Sequence, residues 1–280
     1  MNAHVDVMEL ASRLKSEDEA FVLATVVRTV SVTAAKAGAK AVIRSDGTIV
    51  AGWIGGGCAR GAVLKAARRA LADGQARLIS VQPADMLAEH GVKAGESREG
   101  IEFSTNMCPS KGTMDIFIEP VLPRPSLLVF GASPVALAIA EQARPLGFHT
   151  TVAAPGADFA ETPNADLLVD GFTISGPQAR PCFVIVATQG KGDQAALKAA
   201  LALDASYYGF VGSHRKMAAL RLALAAEGVP AERLGSVKGP AGLDIGAITP
   251  EEIALSILAE ILQVRRRGQR TDPGKASSPS

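Results

Sequence analysis

The stretch "VFGASPVALAIAEQARPLGFHTTVAAP", Val129 to Pro155, decides the fold of this chain. It reads as a buried strand, a glycine turn, a helix and a second strand, the layout of a dinucleotide-binding unit. Gly131 takes the first glycine position of that fingerprint, while Ser133 and Ala136 stand at the second and third. Alanine is tolerated at the third; a side chain at the second crowds an approaching pyrophosphate. Gly131, Ala132, Ser133 and Pro134 are therefore the expected ligand-facing turn. The second strand ends "VAAPGAD", with no acid placed to grip a ribose hydroxyl, and Asp158 comes late for that task. The layout supports the fold; the residues at the turn argue against NAD.

The same alternation continues downstream. "PCFVIVAT", a helix from Asp193 to Leu201, "ASYYGFVG" and a helix from His214 to Glu227 follow in order. Strands that are apolar throughout, alternating with helices, imply a parallel sheet covered on both faces. The last helix is punctuated by Thr249, Pro250 and Glu252 at its start, and by Arg265 to Arg267 and Gly268 at its end. Residues 269–280, "QRTDPGKASSPS", read as a disordered tail.

Upstream, three prolines in "PVLPRPS", Pro120 to Ser126, forbid regular structure and mark 122–125 as a linker. It divides a first domain, 1–121, from a Rossmann-like domain, 126–268. In the first, a helix is expected from Val5 to Leu14, then the β-branched run "AFVLATVVRTVS". "AKAVIRSDGTIVAGW" is a hairpin turning at Asp46-Gly47. Val63, Ala66, Ala67, Ala70 and Leu71 fall at helical spacing, and Asp73-Gly74 stops that helix. "ARLISVQP" and "GTMDIFIEPVL" read as strands. Between them, "ADMLAEHGVKAGESREGIEFST" is polar and weakly periodic, a loop or a short irregular helix. The expected class is α/β: an N-terminal mixed α/β domain followed by a C-terminal Rossmann-like domain with a doubly wound parallel sheet.

Bulk properties bound the function. A chain of 280 residues has room for two domains, and 48% hydrophobic with 20% charged residues suits well-buried cores. A net charge of +1 argues against a dedicated nucleic-acid binder. No window offers the ~18 uninterrupted apolar residues of a membrane span, and the first residues lack the pattern of a signal peptide. Three cysteines do not make a disulfide framework, so a reducing cytoplasm is expected.

The chemistry is sought first in "AGWIGGGCARGAVLKAARRAL", Ala51 to Leu71. Three consecutive glycines, Gly55, Gly56 and Gly57, precede Cys58 at or just before the first turn of a helix. Unpaired N–H groups there, with Arg60 nearby, favour a thiolate. The plain alternative is a strand-to-helix turn followed by a small buried cysteine. Cys108, in "TNMCPSKGT", lies in a turn and is expected to be exposed; Cys182 belongs to a buried strand. Two cysteines without a neighbouring histidine do not make a zinc site. In "VGSHRKMAAL", Arg215 and Lys216 oppose the helix dipole, so this terminus, with Gly212 open and Ser213 capping, binds a phosphate or pairs with a distant carboxylate. Asp244, in the glycine-rich "GPAGLDIGAITPEE", faces a ligand or positions the last helix.

Together these stretches resemble the XdhC/CoxI family, whose members help mature molybdenum hydroxylases such as xanthine dehydrogenase and carbon monoxide dehydrogenase. "AKAGAKAVIRSDGTIVAGWIGGGCARGAV", "CPSKGTMDIFIEP", "YYGFVGSHRKMAAL" and "GPAGLDIGAITPEEIALSILAEI" carry the resemblance across nearly the whole chain. Where the family has a glycine pair after its second cysteine, this chain has Pro109-Ser110-Lys111-Gly112, which points towards the carbon monoxide dehydrogenase accessory subgroup. The resemblance implies a maturation factor rather than a turnover enzyme. Its cargo would be the molybdenum cofactor, molybdopterin or its cytosine dinucleotide, with Cys58 and Cys108 holding the metal or passing sulfur. The implied partners are a molybdenum hydroxylase apoenzyme and a cysteine desulfurase, and a homodimer suits the apolar composition. The alternative from another class is an oxidoreductase binding NAD or FAD, with Cys58 as a redox thiol.

Overall fold

The computed structural model describes residues 6–107 (the Cys58 side chain aside), 111–176 and 181–267. The chain divides into two compact units, Met1–Pro123 and Arg124–Ser280.

The first unit runs α1 (Val7–Ser16), β1 (Phe21–Val30), β2 (Lys40–Arg44), β3 (Ile49–Gly52), α2 (Gly57–Asp73), β4 (Arg77–Pro83), α3 (Ala84–Glu89), β5 (Ser97–Arg98), β6 (Ile101–Asn106) and β7 (Thr113–Val121). Its seven strands lie in the order β3-β2-β1-β7-β4-β6-β5. All neighbours are antiparallel except β4 and β6. Val63, Ala66, Ala67 and Ala70 of α2 bury against Val22, Ala24, Ile43, Ile79, Val81, Ile116 and Ile118 on one face of this sheet. On Val42 and Ala51, which point the other way from Ile43, sit Leu10, Ala11 and Leu14 of α1. The expected start of α1 moves to Val7, because the Asp6 carboxylate accepts from the Met8 and Glu9 N–H groups at 2.8 and 2.9 Å and caps the helix.

The segment expected to be a loop or irregular helix is more ordered than that. It contains α3 and then β6, which lies parallel to β4 from Leu78↔Ile101 to Pro83↔Asn106. Every residue of β6 is half-buried, so no period-2 pattern announces it. Its Glu102 carboxylate pairs with Arg69 of α2 at 2.9 Å and Arg77 of β4 at 3.2 Å, tying three elements together.

The second unit runs β8 (Ser126–Phe130), α4 (Pro134–Ala143), β9 (His149–Ala154), β10 (Leu167–Asp170), β11 (Cys182–Val186), α5 (Asp193–Ala202), β12 (Tyr207–Phe210), α6 (His214–Ala226), α7 (Ala231–Gly235), β13 (Val237–Lys238) and α8 (Pro250–Arg267). The six strands are all parallel, in the order β10-β9-β8-β11-β12-β13. Counted within the unit this is 3-2-1-4-5-6, the doubly wound order whose switch point falls between β8 and β11. β8 and β11 are buried at every residue. Leu127, Val129 and Phe183 face α4 and α8, while Leu128, Phe130 and Val184 face α5 and α6. Cys182 is buried, as its strand implied. The expected tail, 269–280, lies outside the described residues. Among the described residues no helix is long and apolar enough to cross a membrane.

Candidate functional site

Candidate sites lie in both units. In the first, β3 runs into Trp53, Ile54 and the three glycines, and Gly56 stands as N-cap of α2. Gly55 adopts φ +111° and packs under Met114 and Ala59, so it has a steric reason to be glycine. Among the described residues, a Cβ on Gly56 or Gly57 would meet nothing within 4 Å. Packing against the described residues does not demand these two glycines. α2 also starts without a side-chain cap and without an acid in its first turn. Its first N–H groups are unsatisfied by helix geometry and carry the positive end of the dipole. Cys58 is the second residue of this helix, and Arg60, exposed, is the fourth.

Cys108 lies outside the described residues, as do Pro109 and Ser110. Their described neighbours are informative. Asn106 and Gly112 line a cavity of about 70 Å³ together with Gly56, Ala59, Val32, Thr33 and Met114. The Asn106 amide donates to the Gly112 carbonyl at 2.6 Å, and the Lys111 ammonium pairs with Asp85 at 2.8 Å. That pairing, foremost the hydrogen bond, holds the Asp85 carboxyl below the usual carboxylate range. Among the described residues there is no group of three or more His, Cys, Asp or Glu side chains suited to a metal ion.

In the second unit the switch point is a pocket of about 180 Å³ lined by Gly131, Ala132, Ser133, Pro134, Asp158, Thr188, Gln189 and Lys191. Gly131 has φ +124°, and a Cβ there would lie 2.4 Å from the Ala187 carbonyl oxygen, so glycine lets β8 and β11 approach at their ends. The Ser133 hydroxyl does not point at a ligand. It accepts from the Ala136 N–H at 3.2 Å, capping α4, and donates to the Ala187 carbonyl at 2.6 Å. Asp158, expected to come late for a ribose hydroxyl, ends a 3₁₀ turn after β9, Gly156–Asp158, and lines the pocket. It pairs there with Lys191 at 3.5 Å.

At the start of α6 the basic turn is capped and its lysine is paired. Ser213 caps the helix, its hydroxyl accepting from the Lys216 N–H at 3.2 Å. The Lys216 ammonium pairs with the buried Asp193 at 2.5 Å and lies 5.8 Å from the Phe210 ring centre, so the distant carboxylate has it. Arg215 is exposed. Gly212 packs against Phe210, whose ring would stand 2.5 Å from a Cβ. Gly212, His214, Lys238 and Asp244 line one cleft of about 690 Å³ with Val211, Leu243, Ile245 and Ile253 as apolar walls. Beneath it Glu260, buried, accepts from the Tyr207 hydroxyl at 2.6 Å and the Gly242 N–H at 2.8 Å, and pairs with Lys238. Tyr207 and Glu260 lie inside two of the stretches that carry the family resemblance, but nothing in the sequence pairs them with each other. Thr188, Gln189 and Lys191 were silent, because only the strand order brings their loop beside Gly131.

The model of the XdhC and CoxI family matches residues 14–82, and that of the XdhC Rossmann domain matches residues 127–261. The chain belongs to the XdhC/CoxI family. A relative of this family member, YqeB of Escherichia coli (strain K12), is 31% identical over 287 residues, covering 99% of this chain and 49% of that one. A probable xanthine dehydrogenase subunit from Bacillus subtilis (strain 168) is 31% identical over 163 residues, 55% of this chain and 47% of that one. The chain thus spans about half the length of the curated relatives it matches. A crystal structure of a xanthine dehydrogenase from Bacillus halodurans aligns over 98% of both chains at 22% identity, with a TM-score of 0.45.

Proposed function

We propose that this XdhC/CoxI protein carries a molybdenum cofactor as cargo and assists its sulfuration and insertion into a molybdenum hydroxylase of the xanthine dehydrogenase or carbon monoxide dehydrogenase type. The family is associated with xanthine dehydrogenase maturation. The cargo is molybdopterin or its cytosine dinucleotide; the partners are the hydroxylase apoenzyme and a cysteine desulfurase as sulfur source.

The observation that carries the reading is the first turn of α2. It joins a helix start without a side-chain cap, two glycines that no described residue crowds, and a cysteine as the second helical residue. An anionic cargo gains from the bare N–H groups and the dipole, and the same field lowers the pKa of a thiol placed there. A cavity of about 70 Å³ is far smaller than a pterin, so the cargo rests on the turn rather than inside the unit. Cys58 and Cys108 are the proposed thiols, with Gly55 to Gly57 and Arg60 as the surrounding contacts.

The test is metal and pterin analysis of protein purified from a molybdenum-replete host. Wild type is expected to retain molybdenum and pterin, even substoichiometrically, and Cys58→Ala to lose most of both. Wild type that never co-purifies with either sinks the proposal. The oxidoreductase alternative draws on the 3-2-1-4-5-6 strand order and on Asp158 in the switch-point pocket. Its signature is a flavin absorbance, or bound nicotinamide, in protein that holds no molybdenum.

A further inference from the structure

We infer that the protein forms a two-fold homodimer through the outer face of α6, with Leu222 of each copy seated against the groove between α6 and α7 of the other. The inference rests on these two helices alone and stands apart from the cargo proposal.

The face follows from the sequence of α6. From Met217 to Ala226 only Arg221 is charged. Met217 and Leu224 are buried in the core, while Ala218, Ala219, Leu222, Ala225 and Ala226 are exposed. Helix propensity would account for the alanines, and a single exposed leucine is ordinary on a protein surface. Leu222, however, is 76% exposed, more than any other leucine among the described residues, and it borders a groove of about 570 Å³. Ala218, Leu222 and Ala225 form one side of that groove, and Ala231, Leu234 and Gly235 of α7 the other. Arg221, the charged residue among those lining it, is tethered, its guanidinium donating to the Val237 carbonyl at 2.7 Å. The patch therefore sets a projecting leucine beside an apolar hollow. Contiguous apolar surface of this kind marks a contact.

Three features select a second copy of this chain as the occupant. Projection and hollow lie side by side on one patch, so a two-fold axis brings each onto the other. Arg215, Ala218, Leu222, Ala225 and Val229 follow the alternating four- and three-residue spacing of a helix–helix seam. With the axis at Leu222, an antiparallel pair sets Ala218 and Ala219 level with Ala226 and Ala225 of the second copy, and side chains this small let two helices approach closely. The charges agree with that register. Arg215 opposes the dipole of its own helix, is exposed, and pairs with no carboxylate among the described residues. It stands seven residues before Leu222, and Val229 seven after. At about 1.5 Å per residue both lie about 10.5 Å from the axis. Arg215 thus reaches the C-terminal turn of the second copy's α6, the negative end of its dipole, beside Glu232 in the first turn of α7. The charge that disfavours its own helix stabilises the other. A different protein would have to present a leucine and an acid at this spacing; a second copy does so by symmetry.

With 13 residues α6 is about 20 Å long, which puts the contact near the lower end of specific interfaces and the dissociation constant on the order of 10 μM. The experiment is sedimentation velocity of the full chain between roughly 1 and 200 μM. Wild type is expected to pass from monomer to dimer over this range. Leu222→Asp should weaken the dimer at least about 10-fold, because it sets two carboxylates face to face at the axis. Arg215→Glu and Glu232→Arg should each weaken it about 5-fold. The double variant regenerates both pairs with their signs exchanged. It should return to within about 3-fold of wild type, instead of the roughly 25-fold loss of two independent changes. All three residues are exposed, and circular dichroism checks that each variant folds. A chain that stays monomeric throughout gives the face to another protein and overturns the inference. A dimer indifferent to Leu222→Asp, or a double variant that loses as much as the two single ones together, overturns it as well.

Discussion

Glycine means different things at Gly131 and Gly57, and the difference is measurable. At Gly131 an added methyl would press on the Ala187 carbonyl in a left-handed backbone. Gly131→Ala should therefore cost about 3 kcal/mol or more in urea denaturation. Gly57, a helical residue that no described residue crowds, should gain ~0.5–1 kcal/mol on becoming alanine. If the turn seats the cargo, that stabilised variant should nevertheless retain less molybdenum than wild type; equal retention would make the glycine a bystander. Glu260 gives a residue-scale test by pH. Burial alone would raise its carboxyl pKa, but hydrogen bonds from Lys238, Tyr207 and the Gly242 N–H bring it below the ordinary range. Its partner Tyr207 is pushed well above the usual phenol range, by burial first and then by the bond to Glu260. A carboxyl with a depressed folded-state pKa adds stability above its unfolded pKa and loses it as pH falls through the folded one. Glu260→Gln should thus cost about 1–3 kcal/mol at neutral pH, and the gap to wild type should narrow progressively below about pH 4.5. A gap that stays constant into acid would mean that Glu260 is not held ionised by this network.

At the scale of elements, the sequence was most legible where burial leaves no ambiguity. β8 from Leu127 onward and β11 are continuously apolar because they are covered on both faces, and α4 between β8 and β9 announces its start with Ser133-Pro134. The capping box of α8 was equally plain: the Glu252 carboxylate accepts from the Thr249 N–H at 3.0 Å, and the Thr249 hydroxyl from the Glu252 N–H at 3.3 Å. Elements at the rim were not legible. β6 has no buried side and β10, with Leu167 and Leu168 exposed at the sheet edge, is four residues long. Their pairing is decided by neighbours far along the chain rather than by their own pattern. The candidate sites divide in the same way. Cys58 and the glycines stand out in one continuous stretch, whereas Asp158 and Lys191 meet only through strand order and a turn of three residues. A spacing rule that counts from the end of β9 does not place Asp158, because a turn of three residues intervenes.

At the scale of the molecule, each unit has its own apolar clusters: the first gathers residues from Val7 to Val121, the second from Leu127 to Val264. Each therefore holds the burial that drives cooperative unfolding, and the chain carries a separate reporter for each. Its single tryptophan, Trp53, lies in the first unit, and both tyrosines, Tyr207 and Tyr208, lie buried in the second. Urea unfolding followed by tryptophan fluorescence and by the near-ultraviolet dichroism of the tyrosines should give two transitions that do not coincide. Gly131→Ala should then move the tyrosine transition to lower urea and leave that of Trp53 in place. Coincident transitions that shift together would show instead that the units unfold as one body. In that case dimerisation through the second unit would stabilise the first by mass action, and the molybdenum and dimerisation readouts could no longer be treated as additive.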